Sequence, residues 1–138
     1  MKCTALRITL PLFAGWFTVA LSAPATAQGP QLRYTVSGDE PGDELGCGLS
    51  SLADLDGDGL LDFCAGTHIS CGVGYVRAYR GSDGTVLWTR QDTSSNCDEF
   101  GVAVELIGDL DGDGMSDLVV GAPQANGDCG KAYLISTQ

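Results

Sequence analysis

The sequence predicts an all-β chain made of two copies of one four-stranded unit. Three observations carry that prediction. Matching residues recur at a constant offset of 55, a period typical of propellers and other repeat arrays. Each copy holds four short apolar runs separated by Gly, Asp, Ser and Pro. No run after the leader reaches the 10–12 residues of a helix, and no 3.6-residue stripe is present.

The leader comes first. Lys2 and Arg7 form a short basic region, residues 8–23 are uncharged and mostly apolar, and Ala25-Thr26-Ala27 is a small-x-small cleavage site. This is the pattern of a secretory signal peptide over residues 1–27. A membrane anchor fits less well, because the stretch is short of about 20 residues and contains Pro11. The expected location is secreted or extracytoplasmic, in a periplasm or on a cell surface, where disulfides form and calcium is plentiful.

Repeat 1 spans 28–85, with strands expected at 32–36, 46–53, 61–66 and 74–80. Repeat 2 spans 86–138, with strands expected at 86–90, 101–107, 117–121 and 131–136. Residues 32–35 (LRYT) align with 87–90 (LWTR), and Leu45-Gly46 with Phe100-Gly101. Residues 54–59 align with 109–114, and Asp62 with Asp117. Gly74-Tyr75-Val76 meets Gly130-Lys131-Ala132 one residue later, at an offset of 56. Ser82-Asp83-Gly84 reads as a hairpin turn, with glycine supplying the positive φ.

Charge narrows the function classes. The 138 residues carry a net charge of −11. Removal of the leader takes away two cations and no acid, giving −13. Such a chain lacks the basic footprint of a nucleic-acid binder and does not dock electrostatically on anionic lipid.

The acidic residues concentrate in two loops, DLDGDGLLD (54–62) and DLDGDGMSD (109–117). Carboxylates stand at loop positions 1, 3, 5 and 9: Asp54, Asp56, Asp58 and Asp62, then Asp109, Asp111, Asp113 and Asp117. Glycines at positions 4 and 6 let the backbone fold tightly enough for the first three side chains to converge. Leu60 and Met115, at position 7, offer only a backbone carbonyl. Oxygen-only ligation of this kind suits Ca²⁺, which takes 6–8 oxygens, better than Mg²⁺; zinc and copper prefer N or S donors. An EF-hand needs an acid at position 12, where this chain has Ala65 and Val120 between β-like flanks.

Cys47, Cys64, Cys71, Cys97 and Cys129 remain after leader removal, an odd number. Cys47–Cys64 and Cys71–Cys97 are open pairings, since connectivity is not fixed by sequence. No CxxC spacing occurs and His68 is the sole histidine, so no zinc site is expected. His68 reads as a loop residue; Trp88, Tyr75, Tyr79 and Tyr133 as sheet packing; Asp39, Glu40, Asp43 and Glu44 as a solvated acidic loop. No phosphate loop, G-x-S-x-G elbow or HExxH motif is present.

The stretch FGVAVELIGDLDGDGMSDLVVGAP (100–123) resembles the FG-GAP repeat of integrin α-subunit β-propellers and their bacterial relatives. Phe100-Gly101 matches the FG, Gly121-Ala122-Pro123 the GAP, and 130–134 (GKAYL) the strand that follows. Repeat 1 departs from the pattern, with Leu45-Gly46 and Gly66-Thr67-His68, but keeps its acidic loop. The resemblance implies that each repeat is one four-stranded antiparallel propeller blade with calcium in the acidic loop. Propellers close with 4–8 blades, and two repeats leave three arrangements open: blades of a longer protein, self-association into a ring, or a two-sheet sandwich.

The function expected is a secreted, calcium-stabilised, non-catalytic interaction or adhesion-type module with a protein or glycan ligand. The alternative is a set of accessory blades of a larger extracellular propeller attached to a hydrolase or a quinoprotein-like enzyme. GSDGTVLWT (81–89) is the one quinoprotein-like signal, and it does not account for the acidic loops.

Overall fold

Short β-rich runs broken by glycine-containing turns give two antiparallel sheets. The computed structural model describes residues 29–70, 72–92 and 97–137. Contacts divide the chain into residues 1–31 and 32–138, and the fold described is that of the second unit. The leader and its cleavage site lie outside the described residues. Among those residues no helix is long and apolar enough to cross a membrane.

The first sheet runs β1 (Gly48–Ser51), β2 (Phe63–Gly66), β3 (Tyr75–Tyr79) and β4 (Val86–Gln91), in that order. The second runs β5 (Ala103–Gly108), β6 (Asp117–Ala122) and β7 (Lys131–Ile135). All pairings are antiparallel. The β3–β4 turn closes through Gly84, with φ of 78° and its N–H donated to Arg80 O at 2.8 Å. One turn of helix at Ala125–Asp128 joins β6 to β7, with Asn126 and Gly127 in left-handed conformations.

The run at 86–90, expected to open the second sheet, instead closes the first. Its backbone pairs along β3, with Val76 opposite Arg90 and Ala78 opposite Trp88. The second sheet therefore has three strands among the described residues. The run at 32–36 is the repeat mate of β4 and is not a strand. Among the described residues no sheet edge precedes it. Its Tyr34 ring stacks on Phe63 at 6.4 Å, and its hydroxyl donates to Gly81 O at 2.9 Å.

The two sheets pack face to face around one core. Leu52, Cys64, Val76 and Ala78 from the first sheet and its loops meet Phe100, Val104, Leu118, Val120 and Ala122 from the second. Phe100 is fully covered and meets Tyr133 edge-on at 5.2 Å. Burying such a ring contributes about 1.5–3 kcal/mol. Across the interface Leu106 N–H donates to Ser50 Oγ at 3.1 Å.

The cysteines follow from this register. Cys64 stands opposite Ser50 and its thiol reaches the Ser50 carbonyl at 3.7 Å. Cys47 precedes β1, three residues away from Ser50, and is exposed. Both are free, so the Cys47–Cys64 pairing is excluded, and Cys129 is free as well. Cys97 is disulfide-bonded; Cys71 lies outside the described residues, so the Cys71–Cys97 pairing does too.

Candidate metal centres

Each acidic loop hangs between the first two strands of its sheet, 52–62 between β1 and β2 and 109–116 between β5 and β6. The loop fold is dictated by carboxylates capping backbone N–H groups. Asp54 Oδ1 accepts from Gly57 N at 2.7 Å, and Oδ2 from Gly59 N at 2.7 Å. Asp109 repeats this with Gly112 N at 2.6 Å and Gly114 N at 2.9 Å. Asp56 Oδ1 accepts from Asp58 N, and Asp111 Oδ1 from Asp113 N, both at 3.1 Å. Leu60 N donates to Asp58 at 2.9 Å, and Met115 N to Asp113 at 2.7 Å. Position 6 turns with φ of 86° at Gly59 and 91° at Gly114, a region glycine enters without steric cost. The Gly59 N–H and its neighbours hold the Asp54 carboxyl below the usual carboxylate range.

The ninth position ties each loop to its sheet. Asp62 Oδ2 accepts from Leu55 N at 2.9 Å, and Asp117 Oδ2 from Leu110 N at 2.8 Å. Both carboxylates are buried.

The two loops differ in what else touches the acids. Asp62 Oδ1 accepts from Gly81 N at 2.9 Å, and the Arg80 guanidinium pairs with Asp56. In the second loop Ser136 Oγ donates to Asp113 Oδ2 at 3.2 Å. Asp117 is 1% exposed, and its Oδ1 has no hydrogen-bond partner. A buried carboxylate oxygen without a partner costs free energy unless something fills its place. Asp109 and Asp111 offer oxygens within 4.8 Å of an Asp117 oxygen. In the first loop the group that converges to the same limit is Asp54, Asp56 and Asp58. Asp62 and Asp113 stand aside from these groups, their oxygens taken by the bonds just given.

A second cluster was not foreseen. His68 Nδ1 lies 2.9 Å from Glu44, and Nε2 lies 3.3 Å from Glu99. These two carboxylates raise the His68 pKa above the ordinary imidazole value, Glu44 most. Cys47 completes a group with Glu44 and His68 whose donor atoms lie within 4.8 Å of one another. The neighbouring acids are not simply solvated. Asp43 is buried and accepts from Tyr75 OH at 2.8 Å and Asp39 N at 2.8 Å. Asp39 pairs with Arg77 at 2.6 Å. The missed signal was the longer repeat Asp43-Glu44-Leu45-Gly46 over Asp98-Glu99-Phe100-Gly101, again at offset 55.

Residues 53–120 match the family model described as FG-GAP-like repeat. The chain is 30% identical to integrin alpha-PS2 of Drosophila melanogaster over 104 residues, which is 65% of this chain and 7% of that protein. It is 29% identical to integrin alpha-4 of Xenopus laevis over 110 residues, 75% of this chain and 11% of that one. The match thus covers a small part of the length of either relative.

Proposed function

The chain is an FG-GAP repeat protein with blade-like antiparallel sheets, and from that premise we propose that it is a secreted, calcium-binding, non-catalytic interaction module. The observation that carries the calcium reading is Asp117, whose buried Oδ1 is unpartnered beside the Asp109 and Asp111 carboxylates. An all-oxygen donor set of this charge fits a hard cation that accepts many oxygens. In the second loop Asp109, Asp111, Asp113 and Asp117 would hold the ion with the Met115 carbonyl. In the first loop Asp54, Asp56, Asp58 and Asp62 would do so with the Leu60 carbonyl. The ion would neutralise the crowded carboxylates and fix both hairpins, so its role here is structural.

Adhesion-type recognition of a protein or glycan is the role proposed for the ordered loop surface, supported by the likeness to two integrin α subunits. The blades are proposed to function within a larger ring, completed by further copies or further blades. The open edge of β7, with no fourth strand beside it among the described residues, favours this reading.

Thermal unfolding of the chain in calcium and in EDTA tests the proposal. A ligand that binds only the folded state stabilises it by about 2.7 kcal/mol at a hundred times its dissociation constant. A clear rise in Tm with calcium is expected. Equal Tm values in calcium and chelator would overturn the calcium reading.

A further inference from the structure

We propose that Glu44, Cys47 and His68 form a third metal site, for a borderline divalent cation of the Zn²⁺ class, with Glu99 as the carboxylate that positions the histidine. The donor set differs in kind from the aspartate loops. It offers one carboxylate oxygen, one thiol sulfur and one imidazole nitrogen, and these atoms lie within 4.8 Å of one another. Zinc takes O, N and S donors in four-coordinate sites, whereas calcium takes oxygen alone. Three protein donors leave the fourth position for water.

The imidazole is held as a zinc-binding imidazole is held. Nδ1 is the nitrogen on the Glu44 side, at 2.9 Å, and Nε2 faces Glu99 at 3.3 Å. Metal-binding histidines nearly always donate the second ring N–H to a carboxylate or carbonyl, which fixes tautomer and ring orientation. Glu99 is itself anchored, accepting from Gln124 Nε2 at 2.5 Å. A chain of three residues, Gln124, Glu99 and His68, therefore sets the ring with Nδ1 on Glu44, beside the Cys47 sulfur of the same group. Cys47 is a free thiol and exposed, so the sulfur is available.

The site uses the repeat. Glu44 and Glu99 are mates at offset 55, and both take left-handed backbone angles, with φ of 47° and 55°. Glu44 precedes β1, His68 follows β2 and Glu99 precedes β5. One imidazole thus touches the approach segments of both sheets, and a metal on it would couple them. Neither aspartate loop contributes a donor, so the site is independent of the calcium reading.

The experiment is a Co²⁺ titration of the full chain in excess Ca²⁺, followed by absorption. One equivalent of Co²⁺ is expected to give a thiolate-to-metal charge-transfer band, and Zn²⁺ is expected to bleach it. Cys47→Ser and His68→Ala should each remove the band, while Cys129→Ser should leave it intact. Glu99→Gln should keep the band but weaken Zn²⁺ binding 10- to 100-fold, the range for loss of a positioning partner. The unmodified chain supplies a second readout, since Zn²⁺ should slow alkylation of Cys47 and leave that of Cys129 unchanged. Absence of a thiolate band, its survival in Cys47→Ser, or Zn²⁺-insensitive alkylation of Cys47 would overturn the proposal. The Glu44–His68–Glu99 contacts would then be an ion-pair clasp between the sheets.

Discussion

Gly66 faces the backbone of Gly101 so closely that a Cβ on Gly66 would stand 2.0 Å from the Gly101 carbonyl oxygen. Gly74 meets Phe100 O in the same way at 2.2 Å, and Gly48 meets Gly101 O at 2.5 Å. Gly48 in β1, Gly66 in β2 and Gly74 just before β3 thus form a flat seat for the Phe-Gly corner that leads into the second sheet. Gly101 itself turns there with φ of 100° and donates its N–H to Gly121 O at 3.1 Å. Gly46 makes the equivalent bond to Gly66 O at 2.9 Å.

Gly66→Ala is therefore expected to destabilise the fold by about 1–3 kcal/mol or more, as overpacking does when the neighbour cannot rotate away. Gly121 is the repeat mate of Gly66, yet a Cβ there meets only Ala103, with its Cβ at 3.3 Å. Gly121→Ala should cost under about 1 kcal/mol. Urea unfolding of the two variants checks the difference; equal losses would mean the seat is not what orders the interface.

The two acidic loops should bind calcium unequally. A cation in the first loop must compete with Arg80 for Asp56 and with Gly81 N–H for Asp62. In the second loop the Asp117 oxygen is free of such partners. Calorimetric titration is expected to show two calcium sites of different affinity. Asp117→Asn should remove the tighter one, and Arg80→Ala should strengthen the weaker. Identical affinities, unaffected by Arg80→Ala, would show that the guanidinium does not compete.

Burial pushes the Cys64 thiol up to about 11. An unfolded thiol ionises near 8.5, so the folded state binds more protons above that pH. Its contribution is fully present below pH ~8.5 and is lost as pH rises towards 11. Cys64 should therefore resist alkylation at pH 8 in the native chain, while exposed Cys47 and Cys129 react. Peptide mapping after brief alkylation checks this. Replacing Cys64 with Val should flatten the alkaline loss of stability.

Much of this was legible in the sequence because the repeat is physical. The acidic loops recur as matching hydrogen-bond frameworks, Asp54 with Gly57 and Gly59 mirroring Asp109 with Gly112 and Gly114. What sequence could not fix was the sheet to which an apolar run belongs. The run at 86–90 has the same character whether it opens one sheet or closes another, and only pairing with β3 decides it. The His68 cluster was hidden for a related reason. Glu44 and Glu99 are far apart in the chain and come together on opposite nitrogens of His68, next to the Phe-Gly corner that seats on the first sheet. Asp43 looked like solvent-facing charge because its Tyr75 partner lies 32 residues away.

The last prediction concerns the outer face of the second sheet. Ala103, Val119, Gly121 and Leu134 are the repeat mates of Gly48, Cys64, Gly66 and Ala78. In the first sheet Cys64 and Ala78 lie in the shared core, and Gly48 and Gly66 seat the Phe-Gly corner. In the second sheet Ala103 is exposed and Leu134 is 58% exposed. A face with the pattern that seats a neighbouring sheet, and with no sheet on it among the described residues, carries apolar surface that association would cover. Light scattering in calcium is expected to give a mass above that of one chain. Leu134→Asp, which alters an exposed residue and leaves the core untouched, should return the mass to a single chain. A single-chain mass for both proteins would rule out self-association through this face.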